Sequence, residues 1–157
     1  MKFKITGKEL KTALGKIISI ADKKAIHGQI NECLFKVNKN VIQILSTDNE
    51  IFAKVNLTGT SDYEFKFSTN SKSLFDIIKE LTDEDIHFEL LKESNILKLS
   101  TENSFYQLLT YNNENFNFCS FPENVDTISI SRYSLLQMLS LTSYAVSNDE
   151  TRIYLNG

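Results

Sequence analysis

Apolar residues change their period several times along this chain, and each change marks an element. Residues 2–6 alternate, Phe3 and Ile5 against lysines, as a strand does when one face is buried. From Gly7 to Ile20 the spacing shifts. Leu10, Ala13, Leu14, Ile17 and Ile18 fall at i, i+3, i+4 and i+7, the stripe of a helix with one buried side. Lys8, Lys11 and Lys16 lie off that stripe. From Asn31 the period returns to two, or to short apolar runs, at 32–37, 41–46 and 50–57. Asn38-Lys39-Asn40 makes a hairpin turn between the first two. A further strand is expected at 63–68. Residues 71–81, SKSLFDIIKEL, place Leu74, Ile77, Ile78 and Leu81 on one helical face, with Ser71 or Ser73 as the cap and Lys72 and Lys79 opposite. Strands at 86–91, 95–100 and 104–110 complete the series.

The pattern reads β-α-β-β-β-β-α-β-β-β, two helices packed on a curved antiparallel sheet of about eight strands, an α+β class. It then restarts. Residues 128–146 repeat the apolar pattern of residues 3–21 at an offset of 125: Ile128 and Ile130 answer to Phe3 and Ile5, and Leu135, Met138 and Leu139 to Leu10, Ala13 and Leu14. A fixed-period repeat dictates architecture before any local motif does. Residues 111–126 are rich in Asn, hold the only Pro and show no sustained period. The expected division is a complete module at 1–122, a linker at 123–126, and the opening strand and helix of a second copy at 127–157.

Composition sharpens this picture in one respect. The net charge of −3 hides a local excess, because residues 1–28 hold seven lysines against Glu9 and Asp22, leaving −8 on the other 129 residues. An acidic chain with one basic patch is unsuited to tight static binding of nucleic acid, where affinity comes from many neutralised phosphates. It suits weak contact with a polyanion along one face. No apolar run approaches the roughly 18 residues of a membrane span, and the charged N-terminus is no signal peptide. Cys33 and Cys119 stand apart, without CxxC or a nearby His, which indicates reduced thiols, a cytoplasmic setting and no metal site.

Catalytic motifs do not emerge. There is no phosphate loop, GxGxxG or GxSxG, and His27 and His87 lack patterned His or Cys neighbours. Acidic pairs occur at Asp48/Glu50, Asp83/Glu84/Asp85 and Asp149/Glu150 without a cation to hold a substrate. No enzyme activity and no cofactor are expected. A small metal-dependent hydrolase or nucleotidyl transferase built on Asp83, Glu84 or Asp85 is the reading from another class. A stand-alone module that oligomerises through its sheet edge and C-terminal tail is a third.

Four stretches carry a family likeness: MKFKITGKELKTALGKI at the start, Ser46-Thr47-Asp48-Asn49-Glu50, the SLFDIIKEL helix, and SNDETRIYLNG at the end. Together they resemble the bacterial DNA polymerase III beta subunit, the sliding clamp, over the whole chain. The resemblance implies a non-catalytic processivity factor. In that family three similar domains per chain and two chains per ring surround double-stranded DNA, helices lining the hole and sheets forming the wall. Its implied partners are the DNA polymerase III alpha subunit and the clamp loader, with the full-length protein a homodimer and no membrane involved.

Residue by residue, the resemblance puts Lys24 near DNA, in the loop after the first helix. Lys8, Lys11, Lys16, Lys72 and Lys79 are expected to face the hole on their charge and position. Arg152, Tyr154 and Leu155 match the start of the family's pocket for partner peptides. Tyr106 and Leu108 lie on the strand used at the dimer contact. Residues 25–30, Ala-Ile-His-Gly-Gln-Ile, depart from the usual Pro-containing turn, and Phe116-Asn117 stands where Phe-Pro is common. The chain holds too little of the three-domain pattern to close a ring by itself.

Overall fold

The structure, a computed structural model, describes residues 1–21, 31–48, 50–81, 84–111, 125–147 and 151. The chain divides into two compact units, Met1–Cys119 and Ser120–Gly157. In the first, β1 (Lys2–Thr6) runs into α1 (Gly7–Ala21). Then follow β2 (Glu32–Val37), β3 (Val41–Thr47), β4 (Phe52–Thr58), β5 (Thr60–Ser61) and β6 (Phe65–Asn70). Helix α2 (Ser71–Glu80) leads to β7 (Asp85–Leu91), β8 (Ile96–Ser100) and β9 (Phe105–Tyr111). The sheet has nine strands where the sequence pattern gives eight, in the order β4-β3-β2-β6-β9-β8-β7-β1-β5. The additional strand β5 is two residues long and adds Ser61 and Thr60 opposite Phe3 and Lys4. Two residues are too few to show a period.

The two halves of the unit follow one plan. β1-α1-β2-β3-β4 and β6-α2-β7-β8-β9 share the same order, and each half lends its first strand to the other. β1 pairs with β7 through Phe3↔Phe88, and β6 pairs with β2 through Phe67↔Phe35, both antiparallel. The exchange places Phe3, Phe35, Phe65, Phe67 and Phe88 in one aromatic cluster, Phe35 stacking on Phe67 at 5.0 Å between ring centroids. Leu10, Ala13, Leu14 and Ile17 of α1 and Leu74 and Ile78 of α2 cover it, as the helical stripes require.

Local chemistry fixes the ends of the elements. Asn70, and neither Ser71 nor Ser73, caps α2: its side chain accepts from the Ser73 N–H at 2.8 Å. Ser71 is buried instead, and its hydroxyl donates to the Asn31 carbonyl at 2.8 Å. Asn95 takes a positive φ of 52° in the β7–β8 turn, a conformation Asn tolerates. Gly59 precedes β5 where a Cβ would meet Ile42 Cδ1 and stand 2.9 Å from the Lys4 carbonyl oxygen, so the close approach of β1 needs a glycine.

The second unit contains α3 (Arg132–Thr142) and a 3₁₀ turn, Ser143–Ala145. Helix α3 begins 125 residues after α1, the period read from the sequence. Ser131 caps it, accepting from Ser134 N–H at 3.0 Å. The strand expected at Ile128–Ile130 is not formed; Ile128 is 95% exposed. A strand exists through hydrogen bonds to a neighbour, and among the described residues no strand pairs with it.

Candidate nucleic-acid interface

Helices α1 and α2 lie side by side on the sheet. Gly15 of α1 faces Phe75 of α2, at 3.9 Å from the position a Cβ would take. Lys8, Lys11 and Lys16 on α1 and Lys72 and Lys79 on α2 are all exposed, as expected, but they do not form one uniform cationic face. Lys11 crosses the helix pair and donates from Nζ to the backbone carbonyl of Lys79 at 2.8 Å. That carbonyl belongs to the last turn of α2, where a cation complements the unsatisfied C=O groups. Lys79 in turn pairs with Asp76 at 2.8 Å. The hydrogen bond from Lys79 holds the Asp76 carboxyl below its usual range, with the charge of Lys72 adding to the effect. The same bond raises Lys79.

Lys8 and Lys16 stand differently. They flank a cleft of about 500 Å³ between α1 and β4, with Asn56 and Thr58 on the opposite wall and Glu9 as its one acid among the described residues. Neither ammonium pairs with a carboxylate among the described residues.

A larger cleft, about 690 Å³, lies between the outer face of β1, β7 and β8 and the turns that carry Lys39 and Asp62. Two of its three lysines are already engaged: Lys2 pairs with Glu89 at 3.7 Å and Lys4 with Asp85 at 2.6 Å. Exposed His87 is among its lining residues. Among the described residues no group of three His, Cys, Asp or Glu side chains converges on a metal position. The Asp48 carboxylate forms the β3–β4 turn, accepting from the N–H groups of Glu50 at 3.1 Å and Ile51 at 2.6 Å. Of the triple acid, Asp83 lies outside the described residues and Asp85 is held by Lys4. Burial pushes the Cys33 thiol up to about 12, so it is no nucleophile at neutral pH.

The second notable surface is the edge of β9. On one side β9 pairs with β8 throughout, Phe105↔Ser100 to Leu109↔Ile96. On the other it meets β6 only at Tyr111↔Ser68 and Thr110↔Thr69. Among the described residues the edge from Phe105 to Leu108 therefore pairs with no second strand, while the Leu109 carbonyl accepts from the Thr69 hydroxyl at 2.8 Å. Tyr106 and Leu108 are half-buried and pack on the core, while Phe105 and Leu109 are 58% and 63% exposed. These last two were not singled out by sequence pattern, because which side of a strand is open depends on strand order. Lys24, Arg152, Tyr154 and Leu155, like His27, Cys119, Asp149 and Glu150, lie outside the described residues.

Comparison with known proteins bears on these surfaces. Residues 1–120 match the family model described as "DNA polymerase III beta subunit, N-terminal domain". Among curated relatives, the beta sliding clamp of Chlamydia pneumoniae is 26% identical over 158 residues, covering all of this chain and 43% of that protein. The crystal structure of a DNA polymerase sliding clamp from Caulobacter crescentus superposes with a TM-score of 0.92 at 22% identity, again over the whole chain and 43% of the other. A Helicobacter pylori beta clamp bound to a DNA ligase peptide matches 95% of the chain and 41% of its own, with a TM-score of 0.80 at 22% identity. The chain thus spans less than half the length of these relatives.

Proposed function

This chain belongs to the DNA polymerase III beta subunit family, and from that premise we propose that it is part of a ring-shaped sliding clamp. In this reading the ring encircles duplex DNA and tethers the replicative polymerase, without catalysing a reaction. The observation that carries it is the layering of the first unit: α1 and α2 lie together on one side with exposed lysines, backed by a continuous sheet. Helices so placed offer phosphates a cationic surface with no base-edge contacts, which suits binding indifferent to sequence. The excess of acid elsewhere keeps the attraction weak, as sliding requires.

The open edge of β9, at Tyr106 and Leu108, is the proposed seam where a second chain completes the ring. A closed ring removes such an edge. Arg152, Tyr154 and Leu155 are proposed to begin the pocket for partner peptides, from the polymerase alpha subunit and the clamp loader, and Lys24 to lie near DNA. A cytoplasmic setting fits a replication protein; among the described residues no helix is long and apolar enough to cross a membrane.

The test uses a chain extended to the full length of the relatives. It should be retained on nicked circular DNA and released when the circle is cut. Equal retention on linear DNA would refute encirclement. Self-association as a stand-alone module is a second reading, favoured by the same open edge and by Leu135, Leu136, Met138 and Leu139 exposed on α3. A full-length chain that oligomerises but never topologically links to DNA would favour it.

A further inference from the structure

Four of the five helix lysines divide into two pairs, and we infer that only one pair carries phosphate. We propose that the cleft between α1 and β4 is the track of the DNA backbone, with Lys8 and Lys16 as its cations, while Lys11 and Lys79 serve the fold. The proposal rests on the sliding-clamp reading and refines it.

Three observations support the division. Lys8 and Lys16 are eight residues apart on one side of α1, about 12 Å along the helix axis, so two cations stand in a row above the cleft. Thr12 lies between them but cannot compete as a donor, because its hydroxyl already donates to the Lys8 carbonyl at 2.9 Å. Across the cleft, exposed Asn56 and Thr58 present neutral hydrogen-bonding groups of the kind that position phosphates.

On the other helix the charge is offset. Lys79 is bound to Asp76, and Lys72 stands within reach of the same carboxylate's field. Lys11 spends one of its donors on the C-terminal turn of α2, which fixes its position toward the helix seam and away from the cleft. A polyanion approaching this surface meets ammonium groups without a carboxylate partner among the described residues along the Lys8–Lys16 row, with Glu9 beside them.

The measurement is the salt dependence of duplex binding by this chain, followed by anisotropy of a labelled oligonucleotide at low ionic strength. Each phosphate neutralised contributes about 0.9 to the slope of log K against log salt. The variant K8Q/K16Q should lower the slope by about 1.8, whereas K11M should leave it unchanged and lower the melting temperature. K11R, which keeps the bond to the Lys79 carbonyl, should match the wild type in both respects and serves where K11M folds poorly. An unchanged slope in K8Q/K16Q, or an equal fall in K11M, overturns the division and leaves the clamp reading standing. Absence of any duplex binding by the wild-type chain at low salt overturns both the track and the polyanion-facing surface it refines.

Discussion

Phe3 of β1 lies flat against Phe88 of β7, ring centroids 4.6 Å apart and planes 7° from parallel. The two are also partners in the strand register. Phe3 further meets Phe65 and Phe67 at 5.8 Å and Phe35 at 6.4 Å. One side chain thus joins strands from both halves of the module, and the strand exchange is what brings them together. Phe3→Ala removes that bridge and should cost about 3–5 kcal/mol, against about 1.5 kcal/mol or less for Phe3→Leu, which refills most of the volume. Urea unfolding of the two variants measures the difference. Equal midpoints would mean that the cluster collapses freely around the gap, contrary to this packing.

Gly59 tests the close approach of β1 to the β4–β5 corner. A Cβ there conflicts with two atoms of different kinds: the movable end of Ile42 and the fixed carbonyl of Lys4 at 2.9 Å. Gly59→Ala should therefore destabilise by about 1–3 kcal/mol, the usual range for overpacking a closed site. Adding Ile42→Val removes the Cδ1 methyl and should recover part of that loss, leaving the backbone conflict. A full recovery in the double-mutant cycle would assign the whole conflict to the side chain.

Two carboxylates make stability depend on pH in opposite directions. Burial raises Glu32 above its ordinary value of 4.5, although the Ser68 hydroxyl, which donates to it, works the other way. The folded state then holds this proton more tightly than the unfolded state, so stability falls as pH climbs through that window. Glu32→Gln should gain on the wild type as pH climbs above the ordinary carboxyl value of 4.5, a sign opposite to that of an ordinary paired acid. Asp85 is such an acid. The bond from Lys4 lowers it, and Thr6 assists at 3.3 Å, so its contribution is present at neutral pH and is lost as pH falls through its folded value. Both Lys4 and Asp85 are substantially exposed, so Asp85→Asn should have a small effect that added salt removes. Denaturant midpoints of the two variants across pH would show parallel trends only if these assignments were wrong.

What the sequence made legible, and what it did not, follows the range of the interactions. Alternation at Phe3 and Ile5 and the stripe from Leu10 to Ile17 are local signals of burial, and both elements formed where the period placed them. The restart of the helix 125 residues on was legible for the same reason. Strand order was not, because β1 finds its partner β7 some eighty residues away and nothing in either strand names the other. The cap of α2 was expected at Ser71 or Ser73 and lies at Asn70, which ends a strand and begins a helix at once. The lysines of the helices were legible as exposed charges. Their division into a strut and a row was not, because it turns on a contact between α1 and the last turn of α2.

The edge of β9 separates assembly from stability. From Phe105 to Leu109 it contains no charge and no proline, the devices that ordinarily blunt an open strand. Tyr106 and Leu108 point to the core, so replacing either would weaken the fold and the seam together and could not tell the two apart. Phe105 and Leu109 project from the opposite face and touch little within the chain. Placing lysine at both, Phe105→Lys with Leu109→Lys, should leave unfolding within about 0.5 kcal/mol of the wild type, as for other surface changes. In a chain extended to the full length of its relatives, the same pair should raise the dissociation constant of the dimer at least tenfold, a loss of about 1.4 kcal/mol. Sedimentation of the dimer across a dilution series, beside thermal unfolding, gives both readings. A dimer of unchanged affinity with lysines at both positions would remove the β9 edge from the ring seam, whatever became of the fold.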